Sequence, residues 1–220
     1  MRVDRKVVTA VADVALVLSA LTTAAVVVVR TLRPATAAAA DGASRFPGWK
    51  EDLRFDRRIG GADAPYRLVV WTDYQCPACS QFEQQLKLVR EQLGDSLVVI
   101  YRYYPLAAHP LAFGAAIAAE CARGQKHFPE MHAALFAAHL HGDSLPVAAL
   151  MRAGGIPDTV AFKRCVTDSA SAARSAVVAD LARVPTLHLR GTPGVQIGDR
   201  IETGGMSAPE LIQRLRTSAQ

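Results

Sequence analysis

Cys76 and Cys79, separated by Pro77 and Ala78, stand where an apolar strand run ends and a helical pattern begins. The run Arg67-Leu68-Val69-Val70-Trp71 is short, apolar and β-branched, and Gly60-Gly61 and Pro65 precede it, which are strand signals. After Cys76, the apolar residues Phe82, Leu86, Leu88 and Val89 recur among Glu83, Gln84, Lys87, Arg90 and Glu91 at the spacing of an amphipathic helix. Cys76 therefore sits just before a helix N-terminus, where unpaired N–H groups and the positive end of the helix dipole favour a thiolate over a thiol. Pro77 suits the first helical turn, since its missing N–H costs no hydrogen bond there, and Cys79 lies about one turn on, in reach of Cys76. Such a pair carries out thiol–disulfide exchange, with Cys76 attacking and Cys79 resolving.

Two other uses of the cysteines compete with this one. Half of a four-ligand zinc site needs a second Cys or His pair at short spacing, and the remaining cysteines, Cys121 and Cys165, stand alone and far apart. An inert structural disulfide is the other, and the strand-to-helix context favours redox chemistry over both. His127, His132, His139 and His141 lie in helical sequence without tight ligand spacing and read as solvated helix residues, so no metal and no cofactor is expected. Asp73 and Glu83 are candidate proton acceptors for Cys79, because a carboxylate beside a buried thiol can take its proton; a helix cap or a surface acid is the alternative role for each.

The elements that must position the pair follow in order. Ser96 to Tyr103 reads as a second buried strand, parallel to the first because a helix connects them. Helical patterns then succeed one another over 110–123, 127–140, 146–153, 158–167 and 169–182, without a strand signal between, which predicts an inserted α-helical domain at about 108–183. Strand signals return at Gly194-Val195-Gln196-Ile197, Gly198-Asp199 supplies a hairpin turn, and Arg200-Ile201-Glu202-Thr203 answers it. Ser207-Ala208-Pro209-Glu210 predicts a capping-box start for a last helix ending near Arg216. The strand–helix–strand unit with C-x-x-C at its first helix points to a thioredoxin-like α/β fold.

From Val7 to Val29 the sequence is apolar apart from Asp13 and a few Ser and Thr, with Arg2, Arg5 and Lys6 before it and Arg30 and Arg33 after it. That run is long enough to cross a bilayer core of about 30 Å, and its basic start leaves the N-terminus in the cytoplasm and the body outside. A cleaved signal peptide is the other reading, since Ala35-Thr36-Ala37 and Ala38-Ala39-Ala40 are small-residue sites; the apolar run is longer than a usual signal core of about 7–15 residues. Asp13 lies near the cytoplasmic end, where snorkelling accommodates it. The expected organisation is a single N-terminal transmembrane segment over 1–33, a linker and extension over 34–58, and the folded domain over 59–220. At 220 residues, half of them hydrophobic, the chain suffices for one domain with a real core. Of the net charge of +5, the first 40 residues hold five Lys/Arg against two Asp/Glu, so the rest is nearly balanced and no nucleic-acid surface is expected.

An ordered set of motifs runs from about Ile59 to Leu215: Gly60 with Ala64-Pro65, Thr72-Asp73-Tyr74-Gln75-Cys76-Pro77-Ala78-Cys79, Arg102-Tyr103-Tyr104-Pro105-Leu106 with His109, Ala119-Glu120-Cys121-Ala122 with Gln125, and Gly191-Thr192-Pro193. In these the chain resembles the exported DsbA-like thiol-disulfide oxidoreductases of the thioredoxin superfamily. The resemblance implies a cis-proline loop facing the disulfide, with Thr192 and Pro193 in that role and Thr192 offering backbone hydrogen bonds to a bound chain. Val184-Pro185-Thr186 is a rival for the loop, but the strand, turn and Gly204-Gly205 after Pro193 fall at family-like distances, and Pro185 reads as a helix breaker. His109 resembles a family histidine after the second strand, has no evident partner in the sequence, and is assigned no catalytic role. Cys121 and Cys165 fall in different helices of the insertion, and since exported proteins rarely keep free thiols they read as a structural disulfide, which the resemblance supports; such a bridge adds about 2–4 kcal/mol.

The function expected from these readings is disulfide formation in unfolded or reduced exported polypeptides. Strong oxidants of the family commonly carry a His in the dipeptide between the cysteines; Ala78 cannot donate or carry charge, so Pro77-Ala78 predicts a less extreme oxidant. The alternatives are a membrane-fed reductase, an isomerase, and a non-catalytic peptide- or metal-binding module of thioredoxin fold. An isomerase of this group needs an added dimerisation domain, for which the stretch before Ile59 is too short, and copper carriers of this fold resemble a C-x-x-x-C pattern rather than C-x-x-C. By resemblance, reoxidation falls to a membrane partner of the DsbB or vitamin K epoxide reductase type, and the domain is a monomer outside the cytoplasm.

Overall fold

The computed structural model describes residues 44–46, 50, 57–61, 63–138, 140 and 144–218. The expected membrane segment over 1–33 lies outside them, as do His139 and His141. In chain order the elements are β1 (Ser44–Arg45), β2 (Arg58–Gly60), β3 (Tyr66–Thr72), α1 (Pro77–Leu93), β4 (Leu97–Tyr103), α2 (Ala112–Gly124), α3 (Phe128–Ala137), α4 (Val147–Ala153), α5 (Thr159–Thr167), α6 (Ala172–Arg183), β5 (Gly194–Ile197), β6 (Arg200–Thr203) and α7 (Ala208–Ser218). The sheet runs β1-β6-β5-β3-β4-β2, with β3 and β4 parallel and the remaining pairs antiparallel.

β3 and β4 read as unbroken apolar runs because both of their faces are covered. Alternation along a strand sends Leu68 and Val70 with Leu97, Val99, Tyr101 and Tyr103 into the larger core, where Phe82, Leu86 and Val89 of α1 and the helical insertion pack. The intervening Val69 and Trp71 with Val98 and Ile100 face a smaller core closed by Val184, Leu187 and Ile201. Trp71 is fully buried there, one step before the turn that carries the cysteines.

The five insertion helices lie between β4 and β5, as the sequence predicts, and the strands and α7 fall within a few residues of their expected bounds. Two strands were absent from the expectation. β1 and β2 are two and three residues long, too short to show an alternating pattern, and both fall in or at the edge of the stretch expected to be linker. β1 pairs with Arg200 and Ile201 and β2 with Val98 to Ile100, so strand pairing begins ahead of the expected domain start at 59. Gly60 has a φ of +116°, and a Cβ there would meet the Leu97 carbonyl oxygen, which is why the edge strand ends on glycine. The capping box expected at α7 is not formed as such: the Ala208 N–H donates to Gln85 Oε1 of α1 at 3.0 Å, and Glu210 is taken by Arg214 at 2.8 Å, one turn on.

Two devices join the insertion to the sheet and to itself. A disulfide links Cys121 of α2 to Cys165 of α5. Asp180 of α6, 1% exposed, takes Arg57 at 2.5 Å, Arg102 of β4 at 2.8 Å and the Tyr103 N–H at 2.9 Å. Glu120 of α2 adds an ion pair to Arg57 at 3.6 Å and accepts from Tyr103 Oη at 3.2 Å. Removing one member of a buried ion network leaves its partners desolvated without their counter-charge, which costs more than the network contributes. Asp180→Ala is therefore expected to destabilise the domain by about 3–5 kcal/mol in urea unfolding, whereas an exposed pair such as Arg45 with Asp199 contributes under about 1 kcal/mol.

Candidate active site

The β3 strand ends at Thr72, and a tight turn delivers Cys76 to the start of α1. The Cys76 N–H donates to the Asp73 carbonyl at 3.2 Å, and Cys76 is the N-cap, extended at φ −77° and ψ 121°, with Pro77 opening the helix. Both sulfurs are reduced thiols in this structure, and both are buried, while Pro77 and Ala78 between them are exposed. The Thr192–Pro193 peptide bond is the cis bond among the described residues, and it brings the Thr192 carbonyl to 3.5 Å from Cys76 Sγ. Pro185 sits in the 3₁₀ turn Val184–Leu187, away from this approach. Pro193 is held from behind by the Gly204 N–H, which donates to its carbonyl at 2.7 Å.

The two sulfurs are chemically unlike. Cys76 is lowered from the ordinary thiol value to about 5, first because the Cys79 thiol donates to it, with Thr192 and the backbone N–H groups of Cys79 and Ala78 adding to that against the opposing effect of burial. Cys79 is pushed far upward, first by burial and then because its proton is held in the bond to Cys76. The buried Thr192 hydroxyl has no hydrogen-bond partner among the described residues, and Thr192 favours the thiolate form of either cysteine. Ala78 has no side-chain donor, as expected, yet its backbone N–H does part of what a donor side chain would do.

The two candidate proton acceptors are placed differently. Asp73 is 1% exposed and its carboxylate is fully engaged: Oδ1 accepts the Gln75 N–H at 2.7 Å, and Oδ2 takes the Leu106 N–H at 2.9 Å and His109 Nδ1 at 2.7 Å. Gln75 Oε1 in turn accepts the Leu111 N–H at 2.8 Å. Asp73 and Gln75 thus tie the loop after β4 to the cysteine turn, and His109, without an evident partner in the sequence, has one here. The Asp73 backbone, rather than its carboxylate, favours the Cys79 thiolate.

Glu83 is on the buried face of α1, four residues after Cys79 and so one turn along the same face. Burial alone would raise its carboxyl, but His132, then Arg90 and Tyr101, hold it below its ordinary range. Tyr101 Oη donates to Glu83 Oε2 at 3.2 Å, and an Arg90 guanidinium nitrogen lies 3.5 Å from the same oxygen. His132 is 3% exposed, packed among the rings of Tyr74, Tyr101, Phe128 and Phe136 and bonded through Nδ1 to Tyr74 Oη at 3.0 Å. The expectation of a solvated helix residue fails at this position, because Phe128, His132 and Phe136 recur every fourth residue on the buried face of α3. That spacing was the signal in the sequence for it. Burial also raises the Tyr74 phenol well above its ordinary value, with Glu83 next in effect and Cys79 contributing.

Cys76, held near 5, is a thiolate throughout the neutral range, so iodoacetamide at pH 7 is expected to modify Cys76 and not Cys79, with the rate inflecting near pH 5. Its folded value lies below the unfolded value of about 8.5, so the thiolate's contribution to stability is complete above the latter and is lost as pH falls through the former. Melting temperatures of the reduced protein should therefore drop toward pH 5 more steeply than those of Cys76→Ser.

The sequence pattern of the family described as Thioredoxin matches residues 54–215 of this chain. Among solved structures, the catalytic domain of Proteus mirabilis ScsC is similar at 26% identity and a TM-score of 0.62, over 77% of this chain and 94% of that one. The thiol-disulfide exchange protein α-DsbA2 of Wolbachia pipientis shares the fold at 20% identity and a TM-score of 0.65, over 77% of this chain and 92% of its own. A curated relative from Mycolicibacterium gilvum (strain PYR-GCK), named Na(+)/H(+) antiporter NhaA 1, is 34% identical over 168 residues, which are 74% of this chain and 27% of that protein. The chain spans about a quarter of the length of the curated relatives named in this way. With a C-x-x-C pair at the head of α1, sulfurs of opposed acidity and a Thr-cis-Pro loop against them, the chain belongs to the thioredoxin family.

Proposed function

We propose that Cys76 and Cys79 donate their disulfide to reduced exported polypeptides. The observation that carries this direction is the acidity of Cys76: a pair whose reduced form is stabilised as a thiolate gives up its disulfide readily. A substrate thiolate attacks Cys76 Sγ, the Cys76–Cys79 bond breaks, and Cys79 leaves with the electron pair and takes up a proton. A second substrate thiolate then attacks the substrate sulfur of the mixed disulfide. Cys76 departs as a thiolate, the better leaving group for its low pKa, and the substrate carries away a disulfide.

Thr192 and Pro193 present backbone beside Cys76 in this reading, and an extended substrate chain pairs with it through main-chain hydrogen bonds, so recognition is broad rather than side-chain specific. Glu83, one turn from Cys79 and without a hydrogen bond on Oε1, is the proton acceptor for the resolving cysteine, while Asp73 serves position. The apolar run over 7–29 anchors the domain at the outer face of the membrane, and its likeness to part of proteins named as antiporters is in keeping with a membrane-side location. Reoxidation is assigned to a membrane disulfide generator of the DsbB or vitamin K epoxide reductase type, and the working form to a monomer.

Equilibration of the pair against glutathione tests the direction. A disulfide donor gives a potential well above the glutathione couple, whereas a value at or below about −270 mV, that of thioredoxin, would overturn the reading in favour of a membrane-fed reductase. In the same assay Cys76→Ala abolishes exchange, and Cys79→Ala accumulates a mixed disulfide on Cys76 that mass spectrometry identifies.

A further inference from the structure

Asp73 and His109 form a pair that the exchange chemistry described above leaves unused. His109 Nδ1 lies 2.7 Å from Asp73 Oδ2, the length of a charge-assisted hydrogen bond, with the two side chains 24% and 0% exposed. A carboxylate only accepts, so Nδ1 carries the hydrogen, and the lone pair of the neutral ring is left on Nε2. The Leu106 N–H on the same Oδ2 and the Gln75 N–H on Oδ1 keep the carboxylate from turning, which fixes the ring in tautomer and orientation. Nε2 makes no hydrogen bond among the described residues. A buried carboxylate, a ring held through Nδ1–H and a free Nε2 are the arrangement by which a histidine is prepared as a base.

The ring is held at the cysteine turn. The Tyr104 N–H donates to the Thr72 carbonyl at 2.8 Å and the Leu111 N–H to Gln75 Oε1 at 2.8 Å, so the loop after β4 follows the turn as far as the residue before Cys76. Asp73 touches both cysteines, through its carbonyl to the Cys76 N–H at 3.2 Å and through its backbone to Cys79, and so joins the imidazole to the redox pair through one residue. Pro77 and Ala78 on the turn and Ala107, Ala108 and Pro110 on the loop are exposed, a small and uncharged rim open to a polypeptide. Between Tyr104 and Glu120 His109 is the sole ionisable side chain, and on β4 Arg102 is taken by Asp180, so the charge facing the ring is that of Asp73.

The incoming sulfur is the reactant that nothing else in the site prepares. An ordinary thiol, with a pKa of about 8.5, is only a few per cent thiolate at pH 7, and the thiolate is what attacks. Resting on the reading of the pair as a disulfide donor, we propose that His109, oriented by Asp73, is the general base that takes the proton of the incoming substrate thiol. The substrate S–H bond breaks, its proton passes to His109 Nε2 and its electron pair forms the bond to Cys76 Sγ. The Cys76–Cys79 bond breaks, and Cys79 leaves with that electron pair and takes up a proton. His109 then gives its proton to water through its exposed edge, since a histidine gains and loses charge near neutrality.

The test mixes the oxidised full-length protein with an excess of a neutral, end-blocked peptide carrying one cysteine. Acid quench and mass spectrometry follow the initial loss of the oxidised form from about pH 6 to about pH 9.5, a range that brackets the thiol. The disulfide itself does not titrate, so the profile reports the incoming thiol and its base. In the wild type the rate is expected to fall less steeply than the thiolate fraction as pH drops. His109→Asn keeps a donor to Asp73 at the place of Nδ1 and removes the base. It is expected to follow the thiolate fraction, to be about tenfold or more slower near pH 6.5, and to match the wild type above the thiol pKa. His109→Lys supplies a fixed charge without a base in neutral solution and is expected to behave as His109→Asn does. Iodoacetamide profiles of reduced Cys76 are expected to be unchanged in both, and a shift there, placing the action on Cys76, overturns the proposal. A wild-type rate that tracks the thiolate fraction overturns the base without any variant. So does His109→Asn if it is unchanged, or if it is slower by one factor at every pH, which leaves His109 a tie alone. A wild-type profile in His109→Lys overturns the base in favour of a charge that attracts the thiolate. The potential against glutathione judges the direction of exchange separately: a low potential beside the expected His109 profile removes the donor reading and leaves the base standing at the same step.

Discussion

One hydrogen bond, from the Cys79 thiol to the Cys76 sulfur, divides a chemically symmetric pair into a thiolate and a thiol, and the surrounding structure serves that division. Magnitudes show why the bond outranks the helix terminus. A macrodipole at an exposed end is worth about 0.3–1 kcal/mol, whereas a hydrogen bond to a charged group is worth about 1.5–3 kcal/mol, and Cys76 receives several. The helix contributes mainly by geometry. Its first turn carries Cys79 back over Cys76 and aims the Ala78 and Cys79 N–H groups at the same atom. Burial then makes the division steep, because the sulfur deeper in the fold cannot share the charge.

Such an arrangement holds only if the turn does not move. β3 is covered on both faces, so the strand that ends at the turn has no freedom to slide, and Trp71 packs into the smaller core just ahead of it. Past the strand, Asp73 and Gln75 replace packing with hydrogen bonds and bind the loop after β4 to the cysteine turn through Leu106, His109 and Leu111. Asp180 does a comparable task from the insertion, gripping Arg57, Arg102 and the Tyr103 N–H where β4 ends. A carboxylate with both oxygens hydrogen-bonded is a good tie, which separates Asp73 and Asp180 from Glu83, whose Oε1 accepts no hydrogen bond among the described residues.

The sequence was legible where its signals were local. The buried strands, the amphipathic α1 with its cysteines, and the hairpin of β5 and β6 each declare themselves within a few residues, and the helices of the insertion follow from period and punctuation. β1 and β2 were not legible, because a strand of two or three residues has no period and exists only through pairing with β6 or β4. His132 was misjudged for a related reason. A histidine is polar by type, and its burial depends on Tyr74, Tyr101 and Glu83, none of which is near it in sequence. Asp73 and Glu83 looked alike as acids near a thiol; what separates them is which oxygens are already taken, a property of the loop from Leu106 to Leu111 and of α3.

The charge balance under the disulfide gives the insertion a part in the chemistry. A thiolate on Cys76 and a carboxylate on Glu83 stand on one helix, and two like charges partly removed from water raise each other's cost. Arg90 of α1 and Tyr101 of β4 offset the carboxylate, and His132 does so from α3. Burial opposes the charge, and these partners together hold the carboxyl below its ordinary range, so the insertion, through His132, helps to set the state of the buried acid on the cysteine helix.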